Sequence, residues 1–226
     1  ISDRGFVIDR QLTLMPLDNT SKISNGFIHL VKGSDGSTVS GLTINNTKGA
    51  LSINGIYVGQ LHGIWITKSN NNTIVNNTIR IANAAGVYAM PMGWSSYNRI
   101  IGNDMSTYIT CVMVMGQCHY NIISKNKLET LDYNDLIVSN LIYFNPFGHA
   151  DYGGSPLCLG NVISDNYLKA FCNGAMSIVL QLVYENHINT TIANNTIIRG
   201  SYGISLYSDN ATVYNNTIIE SSISVS

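Results

Sequence analysis

The sequence predicts an all-β chain wound as a single-stranded parallel β-helix of about seven rungs. Three observations carry this. A seven-residue pattern recurs along the chain, a Gly-led strand recurs between its copies, and the 226 residues hold 28 Asn and 29 Ile but only 11% charged residues. The pattern x-[IV]-x-x-N-x-[ILM] reads TIVNNTI at 73–79, RIIGNDM at 99–105, IISKNKL at 122–128, VISDNYL at 162–168, TIANNTI at 191–197 and TVYNNTI at 212–218. A degenerate copy, TVSGLTI at 38–44, has Leu42 in place of the Asn. Taking position five as a marker, the gaps are 35, 26, 23, 40, 29 and 21. The short gaps define a unit, and the long ones read as a unit plus an insertion.

Each element follows from its residues. Alternating apolar positions in every copy give strands with one buried face. Inward residues are Ile74, Ile79, Ile100, Met105, Ile123, Leu128, Ile163, Leu168, Ile192, Ile197, Val213 and Ile218. Hairpin sandwiches do not require their strands to resemble one another; stacked parallel rungs do. Asn77, Asn103, Asn126, Asn166, Asn195 and Asn216 are expected to sit at a left-handed bend and to bond up a ladder. A shorter second ladder is expected at Asn72, Asn98, Asn121 and Asn161, decaying to Thr190 and Ala211. The Gly-led element appears as GIWI at 63–66, GVYAM at 86–90, GAMSI at 174–178 and GISLY at 203–207. Aligning these copies turns Ile64, Val87, Val112, Ala175 and Ile204 inward. It leaves Trp65, Tyr88, Met113, Met176 and Ser205 outward, the first three on consecutive rungs as an aromatic stripe suited to a sugar or a protein surface. On the outer face, Asp104 should stack on Lys127 and Lys125 on Asp165 as weak cross-rung ion pairs.

The pattern S-x-x-N-x-I-x-x-N-x-I preceded by G-I-x-[LI], carried closely by 69–79 and 95–105, resembles the right-handed parallel β-helix repeats. That group includes pectate-lyase-like enzymes, NosD-like periplasmic proteins and adhesin-like archaeal surface proteins. The Asn-Asn-Thr-Ile flavour and low charge are most similar to the last of these. The resemblance covers about residues 6–226, with QLTLMPLDNTSKISNGF at 11–27 as opening rungs, and it implies the right hand. It does not itself assign an activity.

One domain, 1–226, is expected, forming a segment of a longer protein with an inserted loop at 145–157. That loop, with Asp132 and Asp135 upstream, brings His149 and Asp151 as candidate acid/base residues. The lyase-like relatives would add calcium there; the residues themselves call for no cofactor. The soft side chains Cys111, Met113, Met115, Cys118 and His119 are close in sequence, but alternation spreads them along a strand, so no metal is assigned. Cys118 and Cys158 each precede a second-column Asn by three residues and should be neighbouring thiols rather than a disulfide. Eight Asn-x-Ser/Thr sequons occur, at Asn19, Asn45, Asn71, Asn76, Asn189, Asn194, Asn210 and Asn215. In a secreted protein these would be glycosylation acceptors, which would make it a glycoprotein; the alternative is that Asn-Asn-Thr is the turn chemistry of the rung, its Thr recurring for strand reasons.

A net charge of −1 without a basic run excludes phosphate-driven nucleic-acid binding, and no apolar stretch is long enough to span a membrane. The leading expectation is an extracellular, adhesin-like module that binds polysaccharide or a surface protein without catalysis. The alternatives are a polysaccharide lyase or glycoside hydrolase, and a structural spacer that self-associates through open helix ends.

Overall fold

A computed structural model describes residues 5–18, 20–47, 50–53, 56–60, 62–82, 88–131, 140–145, 158–171, 176–180, 187–206, 210–220 and 222–225. Among these, three parallel sheets of nine, eight and eight strands wrap one apolar column. A typical rung runs through Ile64–Thr67 in the first sheet, Thr73–Val75 in the second and Thr78–Ile81 in the third. The next strand, Tyr88–Gly93, returns to the first sheet. The eighth strand of the second sheet, Thr13–Leu14, precedes the seven marked copies. The chain is thus a parallel β-helix.

The register is the one the repeat demands. Ile74 lies between Val39 and Ile100, then Ile123, Ile163, Ile192 and Val213 follow in line. The third sheet aligns Ile44, Ile79, Met105, Leu128, Leu168, Ile197 and Ile218. Ten of the twelve residues expected inside are buried; Val213 and Ile218, on the last described rung, are half-buried. β-Branched side chains repeat every ~4.8 Å in the second sheet, and Ile, Met and Leu follow one another in the third, so each packs on an apolar neighbour and the core is continuous.

The ladder closes the corner between the second and third sheets. Asn77 Nδ2 donates to Asn103 Oδ1 at 3.0 Å and to the Val39 carbonyl at 3.0 Å. The same Oδ1 also accepts from the Asn77 backbone N–H at 2.9 Å. Asn103, Asn126, Asn166 and Asn195 repeat this up to Asn216. The second column runs Asn72, Asn98, Asn121, Asn161. It stops at Thr190, whose buried Oγ1 has no partner among the described residues because a hydroxyl cannot span the rung as an amide does. The 40-residue gap closes in register, since Asn121 N–H reaches Asn161 Oδ1 at 2.9 Å.

One detail departs from expectation. The left-handed residue is not the ladder Asn but the one before it: Gly41, Asn76, Gly102, Lys125, Asp165, Asn194 and Asn215, all with φ of 53–66°. The other corner has Gly36, Asn71, Tyr97, Tyr120, Gly160, Asn189 and Asn210 in the same region. The bend turns the next side chain inward, and a buried inward Asn is what the ladder needs.

The gap between markers 42 and 77 is filled by an antiparallel hairpin, Ala50–Ile53 with Ile56–Gln60. The 145–157 insertion lies outside the described residues beyond Asn145. Cys118 and Cys158 occupy facing positions on adjoining rungs and are both free thiols. Their S–H groups donate to the Met115 and Gly116 carbonyls at 3.3 and 3.2 Å. Burial raises the Cys118 thiol pKa and pushes that of Cys158 up to about 11.

Asn126→Ala removes four buried hydrogen bonds at mid-stack and should cost about 3 kcal/mol, seen as a lower urea midpoint. Asn76→Gly, at a solvent-facing left-handed position, should leave the midpoint within about 0.5 kcal/mol of the parent.

Candidate functional site

The register of the first sheet redraws the expected aromatic stripe. Met92 faces Ile66 and Gly93 faces Thr67, so Trp65 stands opposite Pro91, not Tyr88. Tyr88 instead pairs with Thr110, three residues out of step, and Pro91 leads on to Met113. The outward column is therefore Val7, His29, Trp65, Pro91, Met113, Tyr143 and Ser205. The same shift places Ile178, not Ala175, in line with Ile204. Met113 is only 5% exposed. The expected Trp65–Tyr88–Met113 platform does not exist. GVYAM is not the copy that stacks on GIWI: an offset of three on a strand of period two puts Tyr88 in the alternation set of the buried Met90 and Met92, not in that of Pro91 and Met113.

Trp65 belongs to a different group. The His29 ring lies flat on it at 4.1 Å with 3° between planes, and His62 meets its edge at 5.4 Å. His29 Nε2 is 3.1 Å from Thr67 Oγ1. One face of the indole is thus covered by His29, and Pro91 is its register neighbour on the next rung. Burial drops the His29 pKa to about 4, so its ring is neutral at physiological pH.

Exposed rings occur elsewhere, at the corner between the first and second sheets. Tyr97 and Tyr120 are 53% and 47% exposed and stacked at 5.3 Å with 18° between planes. Each occupies the left-handed position just before a ladder Asn. The far face of Tyr120 rests on Gly160: a Cβ there would meet Cε1 at 2.5 Å, so glycine is required beneath the ring. What the pair offers outward is ring edges and two phenol hydroxyls. His119 adjoins them, its ring 6.4 Å from that of Tyr120. Its Nδ1 accepts from Leu159 N–H at 3.1 Å, which leaves the proton of the neutral ring on Nε2. Partial burial lowers its pKa, keeping it neutral. The repeat pattern does not reveal this Tyr–Tyr–His group, because both tyrosines fall at an unspecified position before the ladder Asn. The signal was there: both corner copies, SYNRI and HYNII, place an aromatic at one column.

The outer face of the third sheet carries the charges. Asp104 is in register with Lys127, but its carboxylate is held by Arg80 Nη2 at 2.7 Å. Arg80 Nη1 also donates to the Asp104 carbonyl at 2.8 Å. Lys127 turns instead to Glu129 at 3.3 Å. No ion pair joins Lys125 to Asp165 among the described residues; both lie at a left-handed corner whose side chains splay into solvent. His149, Asp151, Asp132 and Asp135 lie outside the described residues. Among the described residues no group of three or more His, Cys, Asp or Glu is placed to hold a metal ion. Likewise none of their helices is long and apolar enough to cross a membrane.

The family described as "Protein of unknown function (DUF1565)" matches residues 13–178, most of the chain, which therefore belongs to that family. No curated protein matches the sequence. Among solved structures it is similar to an alginate lyase from Paenibacillus sp. str. FPU-7, at 14% identity and TM-score 0.55. That alignment covers 95% of this chain and 76% of the lyase. It is also similar to the Dettilon tailspike protein, at 12% identity and TM-score 0.54 over all of this chain, which spans only 60% of the tailspike. These likenesses establish the right-handed β-helix fold.

The His29 environment sets a pH dependence. Its folded pKa lies below its unfolded value of about 6.5, so the unfolded chain takes up the proton first. Stability should fall as pH drops from about 6.5 to about 4 and then level off for this group. The urea midpoint of His29→Gln should lose part of that slope relative to the parent.

Proposed function

We propose that this member of the DUF1565 family is an extracellular, non-catalytic module that binds polysaccharide, using the corner formed by Tyr97, Tyr120 and His119. The observation that carries the reading is the exposed Tyr97–Tyr120 stack on an otherwise weakly charged exterior. Two half-exposed aromatics held rigidly by a ladder cost little entropy on binding. Their edges and hydroxyls, with the Nε2–H of His119, present apolar and hydrogen-bonding groups one rung apart, on the order of a sugar residue's length. A neutral, uncharged group of this kind suits a hydroxyl-rich chain and gives no grip on a polyanion. The β-helix relatives, a lyase named for alginate and a tailspike, support a glycan-related role for the fold and favour neither a neutral polymer nor binding over cleavage.

A polysaccharide panel, neutral and anionic, with and without calcium, tests this. The chain should be retained by at least one neutral polymer without new reducing ends or unsaturated products. Tyr97→Ala and Tyr120→Ala should each weaken retention about tenfold, while Trp65→Phe leaves it unchanged. Cleavage in the same tubes, lost on His149→Ala or Asp151→Ala, would replace the binding reading with an enzyme. Absence of both retention and cleavage would leave the spacer reading.

A further inference from the structure

Seven of the eight sequons lie in described residues, and six of their acceptors occupy equivalent positions. Asn71, Asn189 and Asn210 are in the left-handed column of the corner between the first and second sheets. Asn76, Asn194 and Asn215 are in that of the next corner. All six are exposed, and among the described residues none of their side-chain amides makes a hydrogen bond. The ladder Asn beside them are the opposite: buried, with Nδ2 donating to two carbonyl oxygens, as Asn77 does.

Turn chemistry alone does not account for the hydroxyl two residues on. Both columns together hold fourteen left-handed corner positions. All six that are Asn are followed at +2 by Thr: Thr73, Thr78, Thr191, Thr196, Thr212 and Thr217. Of the eight that are not, only Gly36 and Gly41 are; after Tyr97, Tyr120, Gly160, Gly102, Lys125 and Asp165 the +2 residue is never Ser or Thr. A Thr kept only to start a strand would follow either kind of corner. Its coupling to Asn points to the pair acting as one unit.

We propose that these six Asn are N-glycosylation acceptors, arranged to flank a bare window on the two corners. The window spans Tyr97, Tyr120, Gly160, Gly102, Lys125 and Asp165, and so contains the exposed tyrosine pair. The reaction takes a polyprenyl-diphosphate-linked oligosaccharide. Asn Nδ2 bonds to the anomeric carbon and loses one proton, the carbon–oxygen bond to the diphosphate breaks, and polyprenyl diphosphate leaves. Adjoining rungs limit the load. Thr191 pairs with Thr212 and Thr196 with Thr217, which puts Asn189 beside Asn210 and Asn194 beside Asn215, about 4.8 Å apart. Two glycan roots do not fit at that spacing, so each pair carries one, and the six corner Asn together carry at most four.

Asn45 is the internal control. It is exposed and heads a sequon, but it sits in an extended strand paired on both sides, with Ser24 and Arg80. Its Thr47 hydroxyl is held by Asn25 Oδ1 at 3.2 Å. It should not be modified in the folded chain. The inference rests on the proposed function only for export; it does not need the ligand.

The test is glycosylation of the purified, folded chain carrying Asn19→Gln, so that only the corner sequons and Asn45 are counted, by a purified oligosaccharyltransferase with a polyprenyl-diphosphate donor, beside a urea-unfolded sample. Peptide mass spectrometry after enzymatic deglycosylation in heavy water reads each site. The folded chain should be modified at the six corner Asn and at least tenfold less at Asn45, with no species above four glycans by intact mass; unfolding should open Asn45. Equal modification of Asn45 in the folded chain, or corner sites that react only after unfolding, would overturn the assignment. Five or six glycans on one folded chain would overturn the one-per-pair limit. Tyr97→Ala with unchanged occupancy but lost polysaccharide retention would separate this inference from the binding reading.

Discussion

Everything in this molecule depends on a buried amide that must find two acceptors and two donors in every rung. Asn satisfies this because its side chain reaches one strand spacing and carries both a carbonyl and an NH2 group. Once Asn77 is bonded to Asn103, and Asn103 to Asn126, the register of the second and third sheets is fixed to the residue. A one-residue slip would leave each amide unsatisfied in the interior and turn the Ile column outward. The left-handed residue before each ladder Asn serves this requirement. It reverses the chain so that the next side chain enters the core, and any residue that accepts the conformation will do, including Lys125 and Asp165.

Perfect stacking also governs the exterior. Residues at equivalent positions lie about 4.8 Å apart, so repeating a charge would place like charges in contact. The low charge is a consequence, and the charges that remain alternate or bond sideways, as Arg80 does with Asp104 and Lys127 with Glu129. Rings obey the same rule. Stacked columns consume ring faces, as the Trp65 indole shows on His29 and the Tyr120 ring shows on Gly160. An outward aromatic on a solenoid is therefore not by itself a sugar platform; what it can offer is its edge.

The legibility of the sequence follows from where the ladder reaches. The second and third sheets flank the Asn corners, their connections have fixed length, and their inward residues could be counted from the marker. The first sheet enters after connections of varying length, so counting from the marker does not carry across. Tyr88 was placed beside Trp65 on a Gly-led likeness, whereas the strand aligns Pro91 there. The tyrosine pair was hidden for the opposite reason: it lies within a regular corner, at a position whose rule is conformational and says nothing of side-chain chemistry.

Function on such a scaffold is best sought where a column breaks its own rule. In both corner columns the outer rungs repeat Asn followed by Thr, and the middle rungs abandon the pairing together. If the repeats were drifting by neutral substitution, Asn and Thr would be lost independently, leaving corners with one and not the other. Asn never appears at these corners without its Thr, and the Thr survives alone only where Gly holds the bend, at Gly36 and Gly41. The break also falls at the same height in both columns and coincides with the exposed Tyr97–Tyr120 stack. A scaffold that changes two columns at once, at the rungs where its surface turns aromatic, is separating a decorated region from a contacting one.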